Sequence, residues 1–481
     1  MQTFPDPWRL LPVALSVVLV AAACGGEPDS APTEPAPLAP LGSEAGVSSY
    51  VLRGTVLTPA GALKRGYVGI VGGRIAAVGA KQPDLPGALL INTDGVILPG
   101  FVDLHNHVPW NVLPRWHPPH LYSNRYQWRD DPAYQRAARI PFDDLVDAHF
   151  CEMNAWGELR ALAGGTTSIM ATHLFPCIHG LVRNLDYNSG FYGTTELDRE
   201  HIVDAIGVPL ASDLEGRAEF VAAAGYYIGN PAYEALSLHV AEGTDALSEE
   251  EFTFLQLQLL LNPKGVLIHG ISLGPADFRA MATAGTALVW SPRSNLELYG
   301  TTADVAAAVA AGVEVALAPD WAVTGSSNML DELKTAVAWN RGHLGGLLTP
   351  RQLVDMATSV PALVAGIDDE VGSVRVGLRA DLVVLRGDAS DPYGSVLRAS
   401  AREVQLAMIG GVPLYGDGAL MQKFWAPGEL EPLGVAGTSK ALATRAAGVS
   451  AAALAAVLGP ALAAEGTSLA PLSEVDPPEP E

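Results

Sequence analysis

The sequence predicts an α/β fold, a (β/α)8 TIM-like barrel over residues 99–365. Short apolar runs alternate there with stretches of helical periodicity, as parallel strands and their connecting helices do in a barrel. Imidazole and carboxyl side chains follow several of these runs, and barrel enzymes carry their chemistry at the carboxyl ends of their strands. The predicted strands are 166–170, 235–239, 265–269, 287–290 and 313–318, with two more near 180–183 and 202–208, and the predicted helices are 145–163, 249–261, 303–311 and 329–341.

Residues 1–23 have the composition of a signal peptide. Residues 10–23 are apolar apart from Pro12 and Ser16, too few to span a bilayer but enough for the apolar part of a secretory signal. The run ends at Cys24 in a segment that resembles a bacterial lipoprotein cleavage box, whose cysteine becomes the lipidated first residue. We expect an exported lipoprotein of the cell envelope, periplasmic or on the outer surface, that meets the membrane only through this anchor. A secreted protein and an uncleaved anchor are the alternatives.

Residues 24–49 are expected to form a disordered linker, because prolines and acids outnumber large apolar side chains in them. The segments that flank the predicted barrel, residues 50–98 and 366–418, have the pattern of β-structure. Glycine and proline turns separate their short apolar runs. The predicted strands are 50–57, 67–71 and 74–78 before the barrel, and 380–385 and 404–409 after it.

Charge excludes one class of partner. The chain of 481 residues has 52 acidic and 29 basic side chains, a formal net charge of -23. Such a surface repels phosphate backbones, so we expect a small-molecule substrate and no nucleic acid. Beyond Cys24, only Cys151 and Cys177 are present, and they are either two buried thiols or a disulfide. The oligomeric state is open, a homo-oligomer included.

Two histidines end the first predicted barrel strand. Side chains alternate along a strand, so His105 and His107 point to the same face. Adjacent imidazoles make half of a metal site. His239 with Glu242, His269 and Asp320 each follow a further apolar run, where a strand meets a loop.

These motifs resemble those of the amidohydrolase superfamily. The segment 99–107 is similar to its first-strand signature, and the later residues fall in the order of its fifth, sixth and eighth strands. The segment 291–296 is similar to one in the branch of aminohydrolases, ring deaminases and chlorohydrolases. The resemblance implies that the two β flanks pair into a small β-sandwich beside the barrel.

The resemblance also implies a role for each residue. Glu242 would take a proton from a metal-activated water and return it to the leaving nitrogen. His269 would donate a hydrogen bond to the developing oxyanion or ring nitrogen, and Asp320 would share the attacking proton while holding the metal. The expected metal ligands are His105, His107, His239 and Asp320.

One absence bears on the metal count. No lysine occurs between Lys81 and Lys264, so no carboxylated lysine from strand three or four can bridge two metals. A single divalent ion is the simpler expectation. Zinc is favoured, and Fe²⁺ or Mn²⁺ would accept the same ligands.

The expected activity is hydrolysis of a C–N bond other than a peptide bond, by deamination or ring opening of a nitrogen heterocycle. An amidase or peptidase of the same superfamily is the alternative, and a non-catalytic ligand-binding lipoprotein is the third. Five large aromatic residues lie between Val108 and Pro132, where they would either cover the pocket or pack against the barrel rim. Residues 419–481 are expected to form a helical extension with an acidic tail.

Overall fold

The computed structural model describes residues 49–170, 181–185, 202–231 and 233–474. The predicted signal peptide, Cys24 and the linker up to residue 48 lie outside the described residues, as does Cys177. Cys151 is disulfide-bonded. Within the described ranges, every helix is too short or too polar to cross a bilayer.

The chain alternates strands and helices between two β-rich flanks. The strands, in chain order, are β1 (Ser49–Thr58), β2 (Gly61–Val71), β3 (Arg74–Gly79), β4 (Leu89–Pro99), β5 (Phe101–Asp103), β6 (Thr166–Ile169), β7 (Arg183–Asn184), β8 (Ile202–Gly207), β9 (Ala235–Val240), β10 (Gly265–His269), β11 (Ala287–Trp290), β12 (Val315–Leu317), β13 (Leu382–Leu385), β14 (Val404–Ile409), β15 (Val412–Asp417), β16 (Leu430–Val435) and β17 (Thr438–Ala443).

Every predicted helix overlaps an observed one, with boundaries shifted by up to about five residues. The α-helices are Arg125–Asp130, Pro132–Tyr134, Ile140–Ala163, Leu214–Gly229, Ala246–Leu257, Pro275–Ala284, Pro292–Tyr299, Val305–Ala311, Met329–Gly342, Pro350–Asp355, Ser359–Val364, Pro392–Arg398, Gly418–Met421, Thr444–Ala447 and Ala451–Ala464. A π-helical turn spans Gln135–Arg139, and 3-10 turns span Val108–Val112 and Pro427–Glu429.

The central strands are parallel, as predicted. β5, β6 and β7 form one sheet, and β8 to β12 form another in sequence order. An isolated bridge between Asn106 and Asp320 joins the first strand of the series to the last. This TIM-barrel-like arrangement of parallel strands and helices confirms the α/β part of the predicted fold class.

Both flanks contribute to one nine-stranded sheet, in the order β16-β17-β15-β14-β13-β4-β1-β2-β3. Alternate side chains of its strands face two different cores. Leu382 and Val384 lie in a cluster enclosed by the sheet, whereas Val383 and Leu385 pack with the barrel core. The sheet therefore fixes the barrel through one buried face, and its two flanks pair as the resemblance implies.

The segment after residue 418 differs from the predicted helical extension. β16 and β17 form a hairpin that extends the sheet by pairing with β15, and only Ala451–Ala464 is a long helix. Ala436 and Gly437 connect the two strands with φ of 48° and 70°, the left-handed backbone that tight hairpin turns require. Alanine-rich composition predicted a helix here, but pairing with the free edge of β15 outweighs that weak propensity.

Candidate metal centre

The four predicted metal ligands meet at the carboxyl ends of the barrel strands. His105 and His107 follow β5, His239 lies on β9, and Asp320 follows β12. Nε2 of His105 lies 3.2 Å from Nε2 of His239. Oδ1 of Asp320 lies 3.2 Å from Nε2 of His105 and 3.4 Å from Nε2 of His107. The structure therefore brings all four together.

These separations fit ligands of one divalent ion. A tetrahedral ion with bonds of about 2.0–2.1 Å holds neighbouring donor atoms about 3.3 Å apart. Burial lowers the pKa of both His105 and His239 well below the ordinary value and so favours the neutral imidazoles. Neutral imidazole is the form that binds a metal, and an ionised Asp320 would supply a negative ligand to it.

Hydrogen bonds behind the ligands orient them. Nδ1 of His105 lies 3.0 Å from the hydroxyl oxygen of Ser291, which leaves Nε2 facing the centre. Ser294 hydrogen-bonds to Asp320, whose pKa burial raises well above its ordinary value. Partners of this kind fix the ring orientation of ligating imidazoles. The predicted segment 291–296 therefore supports the ligands from behind.

His269 lies in the same cluster of imidazoles, with its Nε2 facing the centre. Nδ1 of His269 lies 3.0 Å from Oδ1 of Asn295, while Nδ2 of Asn295 donates to Thr302 at 3.0 Å. With the proton on Nδ1, as these contacts favour, Nε2 of the neutral ring is an acceptor. The donor atoms of His105, His239 and His269 lie within 4.8 Å of one another. The geometry thus makes His269 a candidate fifth ligand, whereas the predicted donor role needs a doubly protonated ring.

Glu242 lies beside the centre in a buried position. Its Oε1 accepts a hydrogen bond from the Tyr299 hydroxyl at 2.7 Å, and its Oε2 lies 3.7 Å from Nε2 of His269. Nε1 of Trp128 donates to the Tyr299 oxygen at 2.8 Å. Burial and the neighbouring carboxylate raise the pKa of Tyr299 well above its ordinary value, so the phenol stays a donor. Tyr299 thus fixes one oxygen of Glu242.

Tyr299 is a site residue that the sequence analysis missed, whereas Trp128 is one of the five aromatics that were predicted to cover the pocket or to pack against the barrel rim. Tyr299 ends the helix Pro292–Tyr299, which begins within the segment 291–296. Its position three residues after the predicted motif segment 291–296 is the one signal that could have found it.

Strained backbone places three of the site residues. Ala241, His269 and Asp320 have φ of 57°, 74° and 68°, in the left-handed region that non-glycine residues seldom adopt. Each lies where a barrel strand ends. Strain of this kind persists only where surrounding contacts impose it, and it concentrates at functional sites. Here it turns Glu242, His269 and Asp320 towards one centre.

The centre opens into a cavity of about 1040 Å³. The predicted aromatic loop contributes Trp110 and Trp128 to the cavity wall, with Tyr134 and Trp321 beside them. Trp116 is buried against Tyr134 and does not line the cavity. The loop therefore divides between the two predicted roles, since some of its aromatics form the pocket and others pack behind it.

Comparisons with known proteins agree with this site. The family model described as "Amidohydrolase family" matches residues 233–414. A 5-methylthioadenosine/S-adenosylhomocysteine deaminase of Syntrophus aciditrophicus is 25% identical over 391 residues, which are 72% of this chain and 85% of the relative. The enzyme of that name from Desulforudis audaxviator is 34% identical over 121 residues, which are 24% of this chain and only 28% of the relative.

The matched family model assigns residues 233–414 to the amidohydrolase family, in agreement with the predicted superfamily. The chain is a metal-dependent hydrolase that acts on C–N bonds other than peptide bonds. Zinc-complexed atrazine chlorohydrolase TrzN from Arthrobacter aurescens has a similar fold, with a TM-score of 0.60 at 20% identity over 76% of this chain and 95% of that chain.

Proposed function

We propose that this amidohydrolase deaminates a planar, amino-substituted nitrogen heterocycle of the aminopurine kind. The observation that carries the proposal is the position of Glu242. Its buried carboxylate lies 3.7 Å from Nε2 of His269 and lines the same cavity as the metal ligands His107, His239 and Asp320, a cavity walled by Trp110, Trp128 and Trp321. Flat aromatic side chains suit a planar ring. The names of the relatives, which are adenosine-derivative deaminases, support the same substrate class.

One zinc ion held by His105, His107, His239 and Asp320 completes the proposed site. When bound, such an ion lowers the pKa of a water ligand to about 7 and so supplies a nucleophile at neutral pH. The chain supplies the proton transfers. Glu242 accepts the proton that water gives up as it adds to the amino-bearing ring carbon, and delivers it to the amino nitrogen. The C–N bond then breaks and ammonia leaves.

The direct test is ammonia release by the zinc-loaded protein. We expect activity on adenosine, 5-methylthioadenosine or S-adenosylhomocysteine, and none on amino-acid amides, which an amidase or peptidase would cleave.

A second test removes the proposed proton carrier. Glu242→Gln should lower kcat by about 10²–10⁴-fold while the ion stays bound. Glu249→Gln, an exposed acid on the next helix, is the matched control and should remain active. Unchanged turnover by Glu242→Gln, or no deamination of any heterocycle in the panel, would contradict the proposal.

We also propose that the protein is an envelope lipoprotein anchored through Cys24. The apolar run over residues 10–23 and the cysteine that follows it support this location. The disulfide at Cys151 supports an oxidising compartment, since disulfides are rare in reducing ones.

For the fold, we propose that β5 to β12 close into a complete (β/α)8 barrel, with the nine-stranded sheet folded beside it as the β-sandwich. The bridge between Asn106 and Asp320 supports closure on one side. On the other side, β7 and β8 are separated in sequence by residues 186–201, outside the described residues.

A further inference from the structure

The chain after the last helix returns to the barrel. We call residues 465–474 the C-terminal strap. The backbone N–H of Ala470 donates to the carbonyl of Val112 at 2.8 Å, and Nε1 of Trp156 donates to the carbonyl of Ala470 at 2.9 Å. Ala470 is buried in this contact. The strap is thereby fixed to the turn Val108–Val112, which begins one residue after the metal ligand His107.

The strap ends in a carboxylate that contacts one buried arginine, Arg160, and one partly buried arginine, Arg115. Oε2 of Glu474 lies 3.2 Å from Nη2 of Arg115, and Oε1 lies 3.5 Å from Nη2 of Arg160. The Arg160 side chain has no solvent exposure, and burial lowers its pKa to about 10. Burial disfavours ionised Glu474, but the two guanidinium groups outweigh it and hold the pKa of that carboxyl below its ordinary value. The attraction between the carboxylate and the two guanidinium groups therefore offsets the desolvation cost of burying their charges.

Both arginines bond to backbone beside metal ligands. Arg160 donates through Nη1 to the carbonyl of Asn111, and Arg115 donates through Nη1 to the carbonyl of Thr324 at 3.3 Å. Thr324 lies four residues after the ligand Asp320. The two guanidinium groups thus extend the contact of Glu474 to the loops that follow the first and last barrel strands.

Asn111 joins those two loops. Its Nδ2 donates to Oδ1 of Asn106 at 2.8 Å, and its Oδ1 accepts from the backbone N–H of Ala322 at 2.7 Å. Asn106 lies between the ligands His105 and His107, and Ala322 lies two residues after Asp320. An isolated β-bridge joins the strand ends here, so side-chain contacts add to a short backbone connection.

We infer that Glu474 is a positioning residue for the metal centre, which acts through Arg160 and Asn111 to hold the first and last ligand loops in register. The strap acts from outside the cavity, because none of its residues lines the cavity wall. The inference requires a metal at the centre but not the proposed substrate.

Metal affinity tests this role separately from activity. Zinc is titrated into metal-free protein against a competing chelator, for wild type, Glu474→Gln and Glu465→Gln. Loss of an outer contact of this kind costs about 10–100-fold in metal affinity, and we expect about tenfold for Glu474→Gln. Its kcat should fall with KM nearly unchanged. Glu465 is exposed on the same strap, and its variant should bind zinc as wild type does.

Chemical rescue separates positioning from general destabilisation. In Glu474→Ala, added formate should re-occupy the space beside Arg115 and Arg160 and restore most of the zinc affinity, with no such gain in wild type. Purification in formate covers the case in which the alanine variant does not fold without it. Wild-type zinc affinity in Glu474→Gln, or a lowered melting temperature with no formate effect on affinity, would overturn the inference. If no variant deaminates any heterocycle while the affinity difference persists, the proposed function fails and the strap's role stands.

Discussion

At the scale of single residues, the hydroxyl of Tyr299 has the most specific role that the structure adds to the site. It donates to Oε1 of Glu242 and itself accepts from Trp128, so it holds one carboxylate oxygen while the other faces His269. A hydrogen bond to a charged group contributes about 1.5–3 kcal/mol, enough to favour one rotamer of a buried side chain. Glu242 is thus held in place before substrate arrives.

Removal of that hydroxyl should therefore slow the reaction without emptying the metal centre. We expect Tyr299→Phe to lower kcat about tenfold or more, with zinc content and KM close to wild type. Steady-state kinetics and metal analysis on one preparation check this. Tyr415→Phe is the control, because Tyr415 is equally buried and its hydroxyl has no hydrogen-bond partner among the described residues. Equal kcat in wild type and Tyr299→Phe would show that Glu242 needs no such support.

The ligand residues make a prediction about metal content. Three imidazoles and one carboxylate around a single centre predict about one divalent ion per chain. His239→Ala should lose most of it, since one donor and its geometry disappear together. Elemental analysis after dialysis measures the content, with His343→Ala as the control, because His343 is exposed and stacks on Trp339 outside the site. Two tightly held ions per chain would refute a single-ion centre.

At the scale of elements, the strand pattern transferred well from sequence to structure. Strand alternation predicted that His105 and His107 share one face. The observed strand β5 ends at Asp103, before both histidines, yet their Nε2 atoms approach the same oxygen of Asp320. The Tyr299–Glu242 contact joins residues 57 positions apart, and no local periodicity encodes such a pairing. The hairpin β16–β17 was missed for a related reason, since the edge of β15 that pairs with it is created only by folding.

The helix Pro292–Tyr299 depends on a carboxyl from another element. Oε1 of Glu332, on the helix Met329–Gly342, accepts from the backbone N–H of Arg293 at 3.1 Å, while the Ser291 side chain makes no capping bond. Burial raises the pKa of Glu332 to about 7. A buried carboxyl thus holds the amino end of the helix that carries Tyr299 and Asn295.

This raised pKa sets the sign of a pH effect on stability. Below about pH 4.5 Glu332 is protonated in both folded and unfolded chains, and its full contribution is present. Between about pH 4.5 and 7 the unfolded chain binds fewer protons, so the contribution falls as pH rises. Glu332→Gln should remove this component. The free energy of unfolding of wild type relative to the variant should therefore fall by about 1–3 kcal/mol from pH 5 to 8, as denaturant unfolding measures it. A parallel pH dependence of the two proteins would show that Glu332 is not the titrating group.

At the scale of the whole molecule, the C-terminal strap and the nine-stranded sheet both hold the barrel in place through contacts between residues that are far apart in sequence. The sheet packs one face on the barrel core. A bidentate ion pair also fixes it there. Nε of Arg183, on β7, lies 2.7 Å from one carboxylate oxygen of Asp381, and Nη2 lies 2.9 Å from the other. The strap bonds to Val112, in the turn that follows the first barrel strand. Neither contact was predictable from local sequence, because both join residues far apart along the chain.

Location is the property of the whole molecule that the N-terminus should decide. A lipidated Cys24 would hold the protein on a membrane although its described helices are all unsuited to span one, because two or more acyl chains anchor a soluble domain stably. We expect wild-type protein in the membrane fraction of the native host and release by detergent. Cys24→Ala should move the protein to the soluble or secreted fraction with its deaminase activity intact, because residue 24 is remote in sequence from every site residue. Ser30→Ala, in the predicted linker, is the matched control and should stay on the membrane. Soluble wild-type protein that retains Met1 would rule out both lipidation and export.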